Sequence, residues 1–124
     1  MDVLLSIKPE FVDKIFLGEK SYEYRKSIFR RKVKRILIYA TKPVGLIVGE
    51  FEIQAIIEGT PCEIWEQTQK SSGVQKFFFD KYFTGRTKAY AIKIGSIVRY
   101  EIPINPYDTL KPFTAPQSFS YIKI

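Results

Sequence analysis

Gly18-Glu19-Lys20-Ser21-Tyr22-Glu23-Tyr24-Arg25 gathers an amine, a carboxylate and a guanidinium in the pattern G-x-K-x-x-E-x-R. On a strand, alternate side chains share a face, so Ser21, Glu23 and Arg25 point one way and Tyr22 and Tyr24 the other. Lys20 joins the Glu23 and Arg25 side only if it lies in a turn before regular pleating begins. A lysine beside Arg25 and partly desolvated is pushed towards its neutral form, whereas Glu23 pulls it back towards ammonium. A neutral amine could activate a hydroxyl or water, with Arg25 stabilising a developing oxyanion. Alternatively, Lys20 and Arg25 stay charged and hold a phosphate while Glu23 accepts a hydrogen bond from a base or ribose. The bland alternative is a surface strand with an ordinary Glu–Arg pair, worth ~0–1 kcal/mol.

Composition removes several other chemistries. The 124-residue sequence contains no His, which excludes Ser-His-Asp triads, Cys-His dyads and His-ligated metals. Cys62 is its only Cys, so there is neither an intrachain disulfide nor a thiolate cluster. No metal and no cofactor are expected. The net charge of +7 is concentrated: Lys20 to Arg35 holds eight basic residues and one acid, leaving 12 of each sign elsewhere. No apolar run reaches the ~18 residues of a membrane span, and the N-terminus lacks a secretory pattern. A cytoplasmic protein with one domain over residues 1–124 is expected.

The elements that must position the octet can be read from periodicity. Val3–Ile7 suits a buried strand, Pro9 opens a helix with Phe11 and Ile15 on its apolar face, and Gly18 ends it. Ser21–Lys26 alternates as a strand and leads into the loop Ser27–Lys34. Arg35–Thr41 and Gly45–Glu58 read as strands, with Gly49 marking a bend or bulge. Thr60 with Glu63 and Ser72 with Gln75 read as capping boxes, predicting helices over Pro61–Lys70 and Val74–Phe83. Lys88–Ile94 and Ser96–Ile104 read as strands broken by Gly95. A proline-rich stretch from Asn105 reads as an extended tail ending in a strand-like Tyr121–Ile124. This order predicts α+β: a small β-barrel of mostly antiparallel strands with two to three flanking helices. The absence of alternating helices and of G-x-G-x-x-G argues against a doubly wound sheet.

The octet, together with Leu5-Ser6-Ile7-Lys8-Pro9, Tyr39-Ala40-Thr41-Lys42-Pro43-Val44, Val48-Gly49-Glu50-Phe51 and Pro116-Gln117-Ser118-Phe119, resembles the ASCH family of the PUA-like superfamily. The resemblance covers nearly the whole chain, and its form is that of small stand-alone bacterial and archaeal members. It implies a PUA-like β-barrel whose cleft is lined by the octet, with RNA or a nucleotide derivative as ligand. Members of that family include RNA-binding or coactivator modules, an amidohydrolase branch acting on N4-acetylcytidine and a branch with ribonuclease activity. In the amidohydrolase branch the signature Lys is the base and a Thr the nucleophile. Lys20 matches the former, but Glu23 stands where the Thr would be, and a carboxylate cannot replace an alkoxide.

Lys20, Glu23 and Arg25 are therefore the candidate site, flanked by Ser6, Lys8, Tyr39 and Thr41, with Gln117 and Ser118 offering an amide and a hydroxyl. If the protein is an enzyme, a hydrolase acting on RNA or modified nucleosides, Lys20 and Glu23 are its catalytic candidates. Lys26, Arg30, Arg31, Lys32 and Lys34 would contact phosphates, an electrostatic footprint that the neutrality of the remaining chain makes conspicuous. The competing view is a solvated loop that keeps the protein soluble. Trp65, Tyr82, Tyr90 and Tyr100 could stack on a base, but each taken singly is better read as core. Cys62 reads as a small half-buried hydrophobe. RNA or nucleotide binding is the preferred reading, a hydrolase of the same fold the second, and a regulatory module docking an acidic protein the third.

Overall fold

A computed structural model describes residues 1–123. Its framework is a six-stranded sheet in the order β2-β5-β4-β3-β1-β6, built from β1 (Asp2–Ile7), β2 (Tyr22–Arg25), β3 (Arg35–Ala40), β4 (Leu46–Gly59), β5 (Ala89–Ile104) and β6 (Phe119–Ile122). β1 runs parallel to β3, and the other neighbouring pairs are antiparallel. The strand ending of the tail extends, in the sequence reading, to Ile124, which lies outside the described residues.

The helices are α1 (Pro9–Phe16), α2 (Pro61–Thr68), α3 (Lys76–Tyr82) and the single turn α4 (Pro106–Thr109), with a 3-10 turn over Gln69–Ser71. The fold is thus α+β with a mixed, mostly antiparallel sheet. The sheet curls because β4 and β5 slip register at three places, and each extra residue adds local bend and twist. Gly49 sits at one slip, where a Cβ would lie 2.5 Å from the Val98 carbonyl oxygen. The result is a half-barrel whose edges, β2 and β6, are joined through side chains rather than by a strand ladder.

Alternation sorts the core into two faces. Val3, Leu5, Ile7, Ile36, Ile38 and Phe51 pack with Val12 and Ile15 of α1, while Leu4, Leu37, Tyr39 and Ile47 meet the tail. A third cluster joins Tyr24, Ile64, Phe79 and Phe83, so α2 and α3 pack against the outer side of β2 and β5.

The capping box at Thr60 forms as its residues predict, with the Glu63 N–H donating to Thr60 Oγ1 at 3.2 Å and the Thr60 N–H to Glu63 Oε1 at 2.9 Å. The second box does not form. α3 begins at Lys76 because Gly73 turns the chain at φ +68 and Ser72 spends its hydroxyl on Val74. Gly95 does not break a strand: β5 continues through it, since the Glu52 carbonyl oxygen would lie 2.9 Å from a Cβ there and only glycine permits the approach. The tail is not wholly extended, because the Asn105 side chain accepts from the Tyr107 N–H and starts α4. Cys62 is exposed, not half-buried: the inward face of α2 carries Ile64 and Thr68, one turn apart.

Candidate functional site

The site begins where α1 ends. Gly18 takes φ +78, and the N–H groups of Glu19 and Lys20 return to the Lys14 carbonyl oxygen at 2.9 and 3.2 Å, so the chain folds back over the helix end. The Ser21 N–H then donates to the Ser71 carbonyl oxygen at 2.9 Å, fixing the helix–strand junction onto the loop before α3. Lys20 therefore lies in the turn before β2, where it can share the side of Glu23 and Arg25. Gly73 presses against it: a Cβ at that position would overlap the Lys20 side-chain stem.

The three charges of the octet are buried, with relative exposures of 2% for Lys20, 6% for Glu23 and 7% for Arg25. Lys20 Nζ donates to the Ser72 carbonyl oxygen at 3.2 Å and lies 3.7 Å from Glu23 Oε1. It also stands 4.8 Å from the Tyr24 ring centre and 5.4 Å from that of Phe11. Burial pushes the amine below the usual lysine range; Glu23 opposes the shift, and Arg25 and Lys14 add to it.

Arg25 grips Glu23 Oε2 through Nε at 3.1 Å and Nη2 at 2.7 Å. Its remaining N–H groups reach the Ser6 carbonyl oxygen at 2.8 Å and the Ser118 carbonyl oxygen and hydroxyl at 3.3 and 3.4 Å. All five guanidinium hydrogens are thereby directed at protein acceptors. Arg25 links β2 to β1 and to the approach to β6, across the side where the sheet lacks a ladder. The two tyrosines of the octet face the α2–α3 cluster, and Tyr24 donates to Thr68 Oγ1 at 2.6 Å while Thr68 donates to the Ile64 carbonyl oxygen.

A cleft of about 700 Å³ opens over these residues. It is lined by Ser6, Lys8, Lys20, Glu23, Arg25, Lys26, Thr41, Gln117 and Ser118, so most of the residues singled out in the sequence meet there. The opposite wall is aromatic. Phe78 and Tyr82, four residues apart on α3, hold their rings within 8° of parallel, and Phe11 meets Phe78 edge-on at 5.0 Å. Lys8 Nζ sits 5.4 Å from the Phe78 ring centre and Lys26 Nζ 4.7 Å from that of Tyr82. Arg86 completes the lining. Among the described residues, Lys8, Lys26 and Arg86 are exposed and none forms an ion pair.

Two groups of candidates lie elsewhere. Tyr39 is 1% exposed and lines a separate, smaller pocket, its hydroxyl paired with that of Tyr107 at 2.8 Å. Register explains this: Tyr39 shares its face of β3 with Leu37, towards the tail. Of the five cations expected to contact phosphates, Lys26 lines the cleft, whereas Arg30, Arg31, Lys32 and Lys34 do not. Phe29 is buried against Phe119, and the Tyr121 hydroxyl accepts from the Arg30 and Arg31 N–H groups at 2.9 and 3.1 Å, so the loop is drawn along β6 away from the cleft. Trp65 packs on Phe79 and Tyr100 donates to Glu50. Phe11, Phe78, Phe79, Val74 and Arg86 were absent from the sequence-based candidates, although the i, i+4 spacing of Phe78 and Tyr82 is a readable signal. Among the described residues, no cluster of three His, Cys, Asp or Glu side chains could hold a metal ion. No helix there is long and apolar enough to cross a membrane.

Comparison with known proteins gives this geometry a family. The ASCH domain matches residues 5–99, which takes in the octet, the aromatic helix and most of the sheet. The chain belongs to the ASCH family. An ASCH domain-containing ribonuclease of Zymomonas mobilis is 31% identical over 129 aligned positions, covering 98% of this chain and 84% of that protein. The crystal structure of ASCH from Zymomonas mobilis superposes with a TM-score of 0.90 at 28% identity, covering 98% of this chain and 87% of that one. The ASCH chain is also 30% identical to large ribosomal subunit protein uL22 of Ureaplasma parvum, covering 98% of this chain but only 39% of that protein. It therefore spans about two fifths of that relative's length. The half-barrel is the α+β, PUA-like fold of the ASCH structures.

Proposed function

We propose that the protein binds single-stranded RNA through the cleft, with one unstacked nucleotide against Phe11, Phe78 and Tyr82 and its phosphates among Lys8, Lys26 and Arg86. The carrying observation is the meeting of an aromatic wall with three exposed cations, none of which forms an ion pair among the described residues. Unpaired bases are read by stacking on aromatic faces, and backbone phosphates by lysine and arginine. The name of the Zymomonas mobilis relative supports RNA as the ligand class. Glu23, lining the cleft, can accept from a base amine or a ribose hydroxyl. Arg25 acts as a positioning residue, since its donors are already committed. Ser6, Thr41, Gln117 and Ser118 border the bound nucleotide.

Titration of a labelled single-stranded RNA at graded salt tests this reading. Affinity should fall as salt rises, with a log–log slope of roughly −0.7 for each phosphate neutralised. Reversing Lys8, Lys26 and Arg86 together to Glu should abolish binding. Absence of RNA binding at low salt, or capture of an acidic protein that RNA cannot displace, would overturn the proposal.

A second reading, cleavage, is favoured by the buried Lys20 amine. Its lowered pKa raises the neutral fraction, which could take a proton from a ribose 2′-hydroxyl. The 2′-oxygen would then attack the adjacent phosphorus and expel the 5′-oxygen, which gains a proton, leaving a 2′,3′-cyclic phosphate. Lys20→Met should remove that product while RNA binding persists, and the wild-type rate should rise with pH as Lys20 loses its proton. Binding without product would leave the protein an RNA-binding module.

A further inference from the structure

We infer that the smaller pocket behind the cleft is a second nucleotide subsite, so that the ligand is a dinucleotide step or longer of single-stranded RNA; this rests on the cleft reading above. The pocket holds about 370 Å³, within the ~300–1,000 Å³ typical of small-ligand sites. Ser6, Thr41 and Pro116 line both it and the cleft, so the two form neighbouring compartments separated by one ridge.

Its chemistry repeats that of the cleft. Tyr107 and Phe113 meet edge-on at 5.0 Å and 89°, and both are half-buried, leaving part of each ring open. The exposed Lys42 has its Nζ 5.4 Å from the Tyr107 ring centre, and no carboxylate pairs with it among the described residues. The Tyr39 and Tyr107 hydroxyls share one hydrogen at 2.8 Å, so whichever donates, the other keeps its proton for a ligand acceptor. A base entering from the ridge would meet the aromatic rings and this proton, with its phosphate beside Lys42. A core void would need neither an unpaired cation at its mouth nor continuity with the cleft.

The test compares nucleoside 3′-monophosphates with the corresponding dinucleotides, made uncleavable by 2′-fluoro substitution, in equilibrium titrations of the full chain. In the wild type the dinucleotides should bind about tenfold more tightly, the increment of one further stacked base. Lys42→Glu should bring that ratio close to one, and Tyr107→Phe, which keeps the ring and loses one hydroxyl, should reduce it several-fold. Thermal melting confirms that each variant is folded. A wild-type ratio near one, or a ratio that survives Lys42→Glu and Tyr107→Phe, overturns the second subsite while leaving the cleft reading intact. Failure of mononucleotides, dinucleotides and longer RNA alike to bind overturns both.

Discussion

Glu23 balances two buried cations, and its removal exposes how much of the site depends on that balance. With Lys20 and Arg25 both below a tenth exposed, Glu23→Gln leaves two charges in a poorly solvated place with no counter-ion. Breaking such a pair costs ~3–5 kcal/mol, so urea denaturation of Glu23→Gln should show a loss of that size. A loss below about 1 kcal/mol would mean that water reaches the cluster freely. Tyr24 makes a second prediction at this scale. Its pKa is pushed up from 10.0 to about 12, chiefly by burial. Between those values the unfolded chain has released a proton that the folded chain keeps, so stability falls as pH rises. Relative to wild type, Tyr24→Phe should flatten that decline, which for one group is at most ~1.4 kcal/mol per pH unit. Lys20 has the opposite sign. With its folded pKa lowered, the unfolded chain binds the extra proton, and stability rises with pH up to the ordinary lysine value of 10.5.

The helix–strand junction and the loop before α3 act as one element, because each supplies the other's backbone partners. Lys14 Nζ donates to the Gly73 carbonyl oxygen at 3.1 Å, Lys20 Nζ to that of Ser72, and the Ser21 N–H to that of Ser71. Gly73 allows this closeness through a positive φ and the lack of a side chain. Gly73→Ala should therefore cost ~1–3 kcal/mol in a denaturation experiment and weaken RNA binding, since the loop that seats Lys20 must move. Thr60→Ala, at the cap of α2, is the matched control: about 1 kcal/mol of stability lost with RNA affinity unchanged. If Gly73→Ala binds RNA as wild type does, the loop does not position the site.

Over the whole molecule, two groups of exposed cations lie apart. Lys8, Lys26 and Arg86 line the cleft, while Arg30 and Arg31 lie along β6, tied to Tyr121. The latter can meet only a strand long enough to leave the cleft. Arg30→Glu with Arg31→Glu should leave a trinucleotide's affinity unchanged and weaken a long single strand, reducing its salt slope by about 1.4. Equal weakening for both lengths would place the loop at the cleft after all. The alternation of β2, the glycine that ends α1 and the box at Thr60 are legible in the sequence because each depends on neighbours within about one turn. So were the octet's charges and the excess of positive charge. The carbonyl partners that Ser72 and Ser118 give the octet were not, for Lys20 meets one 52 residues away and Arg25 one 93 residues away. Sequence alone thus determined which side chains are offered and on which face of each element. The order of strands in the sheet, which brings distant segments side by side, decided that Tyr39 looks away from the cleft, that the basic loop runs along β6, and that Arg25 closes the half-barrel. Short-range sterics and hydrogen bonding govern the first, whereas the second follows from how the elements bury their apolar faces together.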